Sequence, residues 1–376
     1  MSALISLVAF LFVIAVLITV HEWGHYRMAA LVGIRVIRFS VGFGKPLFKW
    51  TPKKQPLLNG APQSTEFVIA ALPFGGYVKM QDEREPDQPA IPSEDLQHSF
   101  NRKPLWARAA VVFAGPLANF VLAILLFALI NWIGMTLPQA RLTQVLPDGA
   151  AAAAQLQADD LVLAVDAQKI TDSFQLRELI RKSNLGVVQN WQVERDGVML
   201  TLAVTPKVEI ENSEFLGKSP IGRVGAVIGS SKEMVYVRYG PIDGLALGVE
   251  KTWDLSVLTL RTLGKMVVGK ASLKNLTGPI TVAEYSGKTA AAGVTTFMLF
   301  LGLMSVSLGV LNLLPLPMLD GGHLMYYLWE WVTGKAVSDA WLERLQQGGF
   351  AFLIFLTLLA LYNDLTRLFG LHSFFS

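Results

Sequence analysis

The chain contains no cysteine among its 376 residues. That absence excludes a disulfide scaffold, a thiol nucleophile, cysteine-ligated zinc and an iron–sulfur cluster. Charge is scarce as well. Asp, Glu, Lys and Arg make up 16% of the chain, against about 25% in ordinary soluble domains. No charge sign dominates either: 32 Lys and Arg face 29 Asp and Glu, which leaves no strong field for a polyanion and excludes a nucleic-acid binder. Histidine is sparse, limited to His21, His25, His98, His323 and His372, so any metal must be held by these or by carboxylates. What is abundant is apolar surface, 52% of residues. That composition excludes a disordered chain or a fibre and points to a membrane protein with a soluble part.

The apolar residues are gathered into runs. Residues 3–20 carry no charge, a stretch of about 27 Å as a helix and close to the thickness of a bilayer core. A cleaved signal peptide needs a basic leader and a small-residue cleavage site. This run shows neither and ends at His21-Glu22, so it reads as a retained spanning helix. A second uncharged run covers Ala109–Ile133, a third lies within Thr289–Leu319 with Phe297–Leu319 as its expected span, and a fourth falls between Leu345 and Asn363. Four spans follow.

Arg27, Arg35, Arg38, Arg102 and Lys103 flank the membrane ends of 27–105, whereas only Arg141 and Lys288 flank those of 134–288. The positive-inside rule then makes 27–105 cytoplasmic and puts both termini and 134–296 outside. Within 27–105, Glu66–Lys79 reads as strand, turn and strand, too short to span as a helix, and a hairpin of this kind can dip toward the bilayer only if protein covers its backbone polar groups. Residues 134–240 alternate as short strands and helices of one compact domain. Residues 241–268 place Glu250, Asp254, Arg261 and Lys265 on one helical face and Ile242, Val249, Trp253, Val257, Leu260 and Val267 on the other. This reads as an amphipathic helix lying on the membrane, the alternative being a core helix of the soluble domain.

The chemistry begins where the first span ends. His21-Glu22-Trp23-Gly24-His25 is an H-E-x-x-H. On a helix, positions i and i+4 share a face, so both imidazoles can converge on one zinc ion, with Glu22 beside them to act on water. Two His and a Glu at the hydrocarbon boundary are costly unless they bind something. Catalytic zinc usually takes three protein ligands, and the third must come from elsewhere. Glu22, Asp320 and His323 are the choices, the last two within Asn312-Leu-Leu-Pro-Leu-Pro-Met-Leu-Asp-Gly-Gly-His323. Spans one and three run in the same direction, which lets Asp320 end at the depth of His25. Pro315 and Pro317 forbid regular helix just before Asp320, and Asn312 adds a donor and an acceptor at that depth, so an extended substrate could pair there.

These residues together resemble the site-2 protease family of intramembrane zinc metalloproteases, most nearly its bacterial sigma-E-regulating branch. The likeness rests on H-E-x-x-H in the first span, Gly115-x-x-x-Asn119 in the second and Asn312…Pro315-Leu-Pro317-x-Leu-Asp320-Gly-Gly-His323 in the third. Gly75-Gly76-Tyr77 and Thr277-Gly278-Pro279 extend it. The resemblance implies one Zn2+ per chain with His21, His25 and Asp320 as ligands and Glu22 as general base. Gly115 and Asn119 would support the site. Gly75, Gly76, Tyr77, Asn312 and Pro315 would bind substrate, which the hairpin at 66–80 would hold as an added strand.

The implied architecture is an α-helical polytopic membrane protein with four transmembrane helices, a membrane-associated β-hairpin and an inserted PDZ-like α+β periplasmic domain. Residues 1–133 would hold the first two spans and 134–240 the PDZ-like domain. Residues 241–296 would be the amphipathic surface segment, and 297–376 the last two spans. The implied location is the bacterial inner membrane, with the active site toward the cytoplasm. Implied partners are the bilayer and pre-trimmed single-span proteins, namely an anti-sigma factor and signal-peptide remnants. Two departures stand out. Such proteins commonly carry two tandem PDZ domains, and 134–240 has room for one. The turn expected as Ala-Gly-Leu-x-Ala-Gly-Asp is here Ala154-Gln-Leu-Gln-Ala-Asp-Asp160, without either glycine. The competing readings are a non-catalytic adaptor with structural zinc and a metal transporter. The latter needs further ligands that spans two and four do not offer.

Overall fold

The computed structural model describes residues 3–52, 64–83, 91–93, 95–183, 186–213, 217–229 and 232–369. The chain opens with α1 (Ala3–Leu31), β1 (Val36–Trp50), β2 (Glu66–Met80) and α2 (Leu105–Ile133). Strands β3 (Met135–Pro138) and β4 (Leu142–Val145) lead to the single turn α3 (Ala150–Ala153), then β5 (Leu161–Val165), β6 (Gln168–Lys169) and α4 (Ser173–Lys182). Six more strands follow: β7 (Gln189–Arg195), β8 (Val198–Val204), β9 (Lys207–Ser213), β10 (Gly217–Arg223), β11 (Ala226–Ile228) and β12 (Met234–Val237). The chain then turns helical as α5 (Pro241–Val267), α6 (Pro279–Ala292), α7 (Val294–Asn312), α8 (Asp320–Thr333) and α9 (Asp339–Leu368). It divides into a helical unit (1–127, 248–260 and 274–376) and a strand-rich unit (128–247 and 261–273).

Among the described residues, four helices are long and apolar enough to cross a membrane: α1, α2, α7 and α9. In lipid the backbone can be satisfied only internally, which is why such runs become helices. The third apolar run continues to Leu319, but its helix stops at Asn312. Pro315 and Pro317 lack the amide hydrogens a continuing helix would donate, so the span is shorter than its hydropathy suggests.

Within the helical unit, α1 buries Ala9, Phe10, Val13, Leu17, His21, Gly24 and His25, one face at helical spacing. Its crossing with α2 is tight: a Cβ on Gly24 would lie 2.2 Å from the Ala114 carbonyl oxygen. On α7, Ser305 Oγ donates to the Asn119 carbonyl of α2 at 2.8 Å. Residues 241–296 form two helices rather than one segment, and α6 is fixed by a carboxylate from α9. Asp364 accepts from the amides of Gly278, Ile280 and Thr281 at 3.1, 2.9 and 3.0 Å, and from the Thr281 hydroxyl. Those amides are the orphan donors of a helix N-terminus.

The segment 66–80 departs from a simple hairpin. Both halves are extended, as alternation predicts, yet residues 36–41 of β1 run between them. Val36 to Val41 pair antiparallel with Met80 to Gly76, while Arg38 to Val41 also stand opposite Glu66 to Ile69. The second half of β1 then folds back, setting Phe48, Lys49 and Trp50 against Ile69, Val68 and Phe67. Glycines make these reversals possible, Gly42 and Gly44 in β1 at φ 94° and 86° and Gly75 in β2 at 121°. Arg38, on the inner strand, holds both neighbours, donating to Glu66 Oε2 at 2.7 Å and to the Tyr77 hydroxyl at 3.4 Å.

The strand-rich unit is built on an antiparallel sheet in the order β6-β5-β7-β8, with β4 paired to β11, β3 to β12 and β9 to β10. Its core gathers Trp191, Leu142, Leu176, Val162, Val165, Val193 and Val204. The turn at 154–160 keeps the conformation that glycines would favour although it has none: Gln155 and Asp159 sit at φ 61° and 69°. Arginines hold both from their carbonyls, Arg195 on Gln155 at 2.8 Å and Arg141 on Asp159 at 2.6 Å. Asp160 closes the turn, fully buried and accepting from Arg195 Nε and Nη2 at 2.7 Å each and from the Gln157 amide at 2.8 Å.

Candidate metal centre

One helical turn of α1 brings His21 and His25 together with ring centroids 4.8 Å apart and planes at 84°. Their Nε2 atoms are separated by 3.1 Å, and Asp320 Oδ2 lies 3.1 Å from the first and 3.6 Å from the second. All three atoms fall within 4.8 Å of one another. Ligands about 2.05 Å from zinc at tetrahedral angles stand roughly 3.3 Å apart. The observed spacings fit that cage. With both Nε2 atoms unprotonated, two imidazole lone pairs and a carboxylate oxygen at these distances repel unless a cation lies among them. Asp320 Oδ2 is buried and takes no well-formed hydrogen bond, an orphan acceptor of the kind a metal satisfies.

Asp320 is delivered by the irregular segment between α7 and α8. Leu316 N donates to Leu314 O at 2.7 Å and Leu319 N to Leu316 O at 3.1 Å, so the chain doubles back between the prolines. Gly321 and Gly322 permit that fold: a Cβ on the first would sit 2.2 Å from Leu314 O, and on the second 2.3 Å from Leu316 O. Met318 adopts φ 84°, a left-handed conformation that costs a non-glycine residue about 1–2 kcal/mol. Arg108 of α2 anchors α8 from the other end, donating to Glu330 at 2.6 and 3.3 Å with Tyr327 stacked beneath its guanidinium.

Helix α2 forms the wall behind the imidazoles. His25 Nδ1 donates to the Val111 carbonyl at 2.8 Å, and the Asn119 side-chain amide lies 3.1 Å from His21 Nδ1. Gly115, between them, must be glycine, since its Cβ would fall 2.3 Å from His25 Nε2 and 2.9 Å from His21 Cε1. On the opposite flank a Cβ on Gly76 would lie 3.0 Å from Glu22 Cγ and 2.9 Å from Ile18 Cγ2, so β2 passes directly against Glu22.

The residues singled out in the sequence therefore divide. His21, His25 and Asp320 meet, Gly115 and Asn119 adjoin them, and Gly76 touches Glu22. Gly75 and Tyr77 instead meet Phe43, the Tyr77 ring stacking on it at 6.0 Å. Asn312 ends α7, and Pro315 is exposed in the segment before Asp320. His323 stands edge-on to Tyr326 and is not one of the three converging groups. His98 is buried, its Nδ1 3.1 Å from the Gly33 carbonyl. His372 lies outside the described residues. Sequence reasoning did not find the Val111 carbonyl, because a backbone acceptor leaves no trace in residue type.

The model of Peptidase family M50 matches residues 9–356. A protein of Ralstonia nicotianae named as a zinc metalloprotease is 37% identical over 98% of this chain and all of its own length. Regulator of sigma-E protease RseP of Escherichia coli is 33% identical over 98% of this chain and 100% of that one. Their alignments run to 470 and 464 residues, more than this chain possesses, so both relatives carry segments it lacks. A Rhizobium meliloti relative, also named as a zinc metalloprotease, is 36% identical over 374 residues, covering 96% of each chain.

Proposed function

Because the chain belongs to Peptidase family M50, and is thereby a membrane metalloprotease of the site-2 type with zinc as its cofactor, we propose that one zinc ion per chain is held by His21, His25 and Asp320 with Glu22 as general base. The substrates are pre-trimmed single-span membrane proteins, an anti-sigma factor and leftover signal peptides, cleaved within or near the membrane segment. The name of the Escherichia coli relative supports the first of these, and the burial of the three ligand atoms at the end of an apolar helix supports cleavage in the membrane.

Zinc bound there supplies Lewis acidity, drawing electron density from a carbonyl and easing the deprotonation of water. The remaining work falls to the chain. Glu22 takes the proton of the attacking water and returns it to the leaving amine. A transmembrane helix hides its carbonyls in internal hydrogen bonds and must unwind to be cut. The strand 76–80 pairs with 36–41, and adding an unwound substrate to this sheet as a further strand offsets the lost helical bonds. Its passage beside Glu22 supports this role. Asn312, Pro315, Gly75 and Tyr77 complete the substrate path.

The helical unit sits in the bacterial inner membrane with 27–105 cytoplasmic and both termini outside, as the flanking basic residues favour. Residues 134–240 form one PDZ-like domain outside, filtering substrates by size. The longer alignments of the first two relatives support a single such domain here. The exposed apolar side chains of α5, Ile242, Val249, Trp253 and Val267, support its lying on the membrane.

The convergence of two imidazole nitrogens and an orphan carboxylate oxygen carries the proposal. It is tested by cleavage of a tagged single-span peptide in detergent, with a zinc chelator and then zinc re-addition. Chelation is expected to abolish product and zinc to restore it. Unimpaired cleavage after complete zinc removal would overturn the reading, and no cleavage of several trimmed substrates by zinc-loaded protein would favour the adaptor.

A further inference from the structure

We infer that Asn119 is the positioning residue that fixes the tautomer of His21, by accepting a hydrogen bond from its Nδ1 through the side-chain oxygen. The inference rests on the zinc-ligand reading above and deepens it. A histidine that gives its Nε2 lone pair to a metal must carry its proton on Nδ1, and that N–H needs an acceptor. For His25 the acceptor is visible: the Val111 carbonyl, at 2.8 Å, can do nothing but accept. For His21 the only group described at Nδ1 is the Asn119 amide, 3.1 Å away.

The orientation of that amide decides what His21 can do. With the amide nitrogen facing Nδ1, Asn119 is the donor, and the imidazole proton moves to Nε2, the atom that faces Asp320 and His25. The same orientation leaves Asn119 Oδ1 buried with no partner, in a residue with no exposed surface. A half-turn of the planar amide exchanges its two ends without moving another atom. The oxygen then accepts from His21 Nδ1–H, the orphan acceptor is satisfied, and Nε2 is left with its lone pair directed at the converging site. One rotation gives the buried oxygen a donor and His21 the tautomer a metal ligand needs, and carries the amide NH2 to the position the oxygen had held.

The backbone of the same residue is fixed as firmly as its side chain. Ser305 of α7 donates to the Asn119 carbonyl at 2.8 Å. Asn119 thus stands between α7, which leads to Asp320, and α1, which carries His21. Val111 and Asn119 are two helical turns apart on α2, with Gly115 midway admitting both rings. One face of one helix therefore serves the Nδ1 atoms of both histidines.

The test is zinc affinity by chelator competition, measured on the full-length protein with Asn119→Leu, Asn119→Asp and His21→Ala. Asn119→Leu keeps the volume and removes the acceptor, and affinity is expected to fall about 10- to 100-fold. Asn119→Asp can only accept, and is expected to stay within about threefold of wild type. If Asn119→Asp binds zinc as weakly as Asn119→Leu, the residue acts as donor or packing and the inference fails. If Asn119→Leu binds like wild type, it fails as well. His21→Ala separates the two levels of the argument. Wild-type affinity in that variant overturns the ligand assignment itself, whereas weak binding there leaves Asn119 to be judged by its own pair.

Discussion

Three buried or half-buried aspartates of this chain contrast in what surrounds them. Asp160, in the strand-rich unit, has three donors on its two oxygens. Asp364, in the helical unit, is equally well supplied by the first turn of α6. Asp320 has its Oδ2 within 3.6 Å of two imidazole nitrogens and no well-formed hydrogen bond on that atom. A carboxylate removed from water is stable only when paired or hydrogen-bonded. The two satisfied ones hold the fold, and the third is the one proposed to hold zinc. Burial alone would have ranked Asp160 first, but the unmet valence is what separates function from structure.

Substitutions can break or sharpen this contrast, and the largest effect belongs to Asp320. Asp320→Asn should lower zinc affinity by on the order of a thousandfold, about a third of the free energy of a structural-type zinc site, and abolish cleavage. Its thermal unfolding without metal should match wild type, because no fold-holding bond is lost. Asp160→Ala should do the opposite. Its loss should destabilise the strand-rich unit by about 2–3 kcal/mol, the scale of charged hydrogen bonds discounted for the partial exposure of Arg195. Denaturant unfolding would report it, with zinc content unchanged. Asp364→Ala should cost about 1–2 kcal/mol, the scale of a lost N-cap, seen as earlier protease cutting near Thr277-Gly278. The smallest effect is a gain: Gln155→Gly should raise the unfolding midpoint of the strand-rich unit. Relief of left-handed strain, about 1–2 kcal/mol, is partly offset by glycine's unfolded-state entropy. Asp159→Gly should gain less, since Asp tolerates that conformation better.

Much of the centre was legible because its signals are local or chemically rare. H-E-x-x-H brings two imidazoles together by helical spacing alone, and four apolar runs announce the four helices long and apolar enough to cross a membrane. Asp320 could be reached because an acidic residue closing an apolar run demands a reason. The sheet was not legible in the same way. Alternation in Glu66–Met80 shows that both halves are extended, but nothing local says that residues 36–41 will lie between them. That pairing depends on Gly42, Gly44 and Gly75 reversing the chain and on Arg38 holding both sides. The turn at 154–160 teaches the converse, for it lacks the glycines expected there, and the carbonyl contacts of Arg141 and Arg195 accompany the left-handed conformation all the same.

The central claim is that His21, His25 and Asp320 hold zinc while Glu22, beside them, moves the proton. Zinc content and cleavage measured on one preparation of Glu22→Gln test this most directly. The account predicts about one zinc per chain, as in wild type, and no cleaved product. Cleavage by the zinc-loaded variant at the wild-type rate would contradict it.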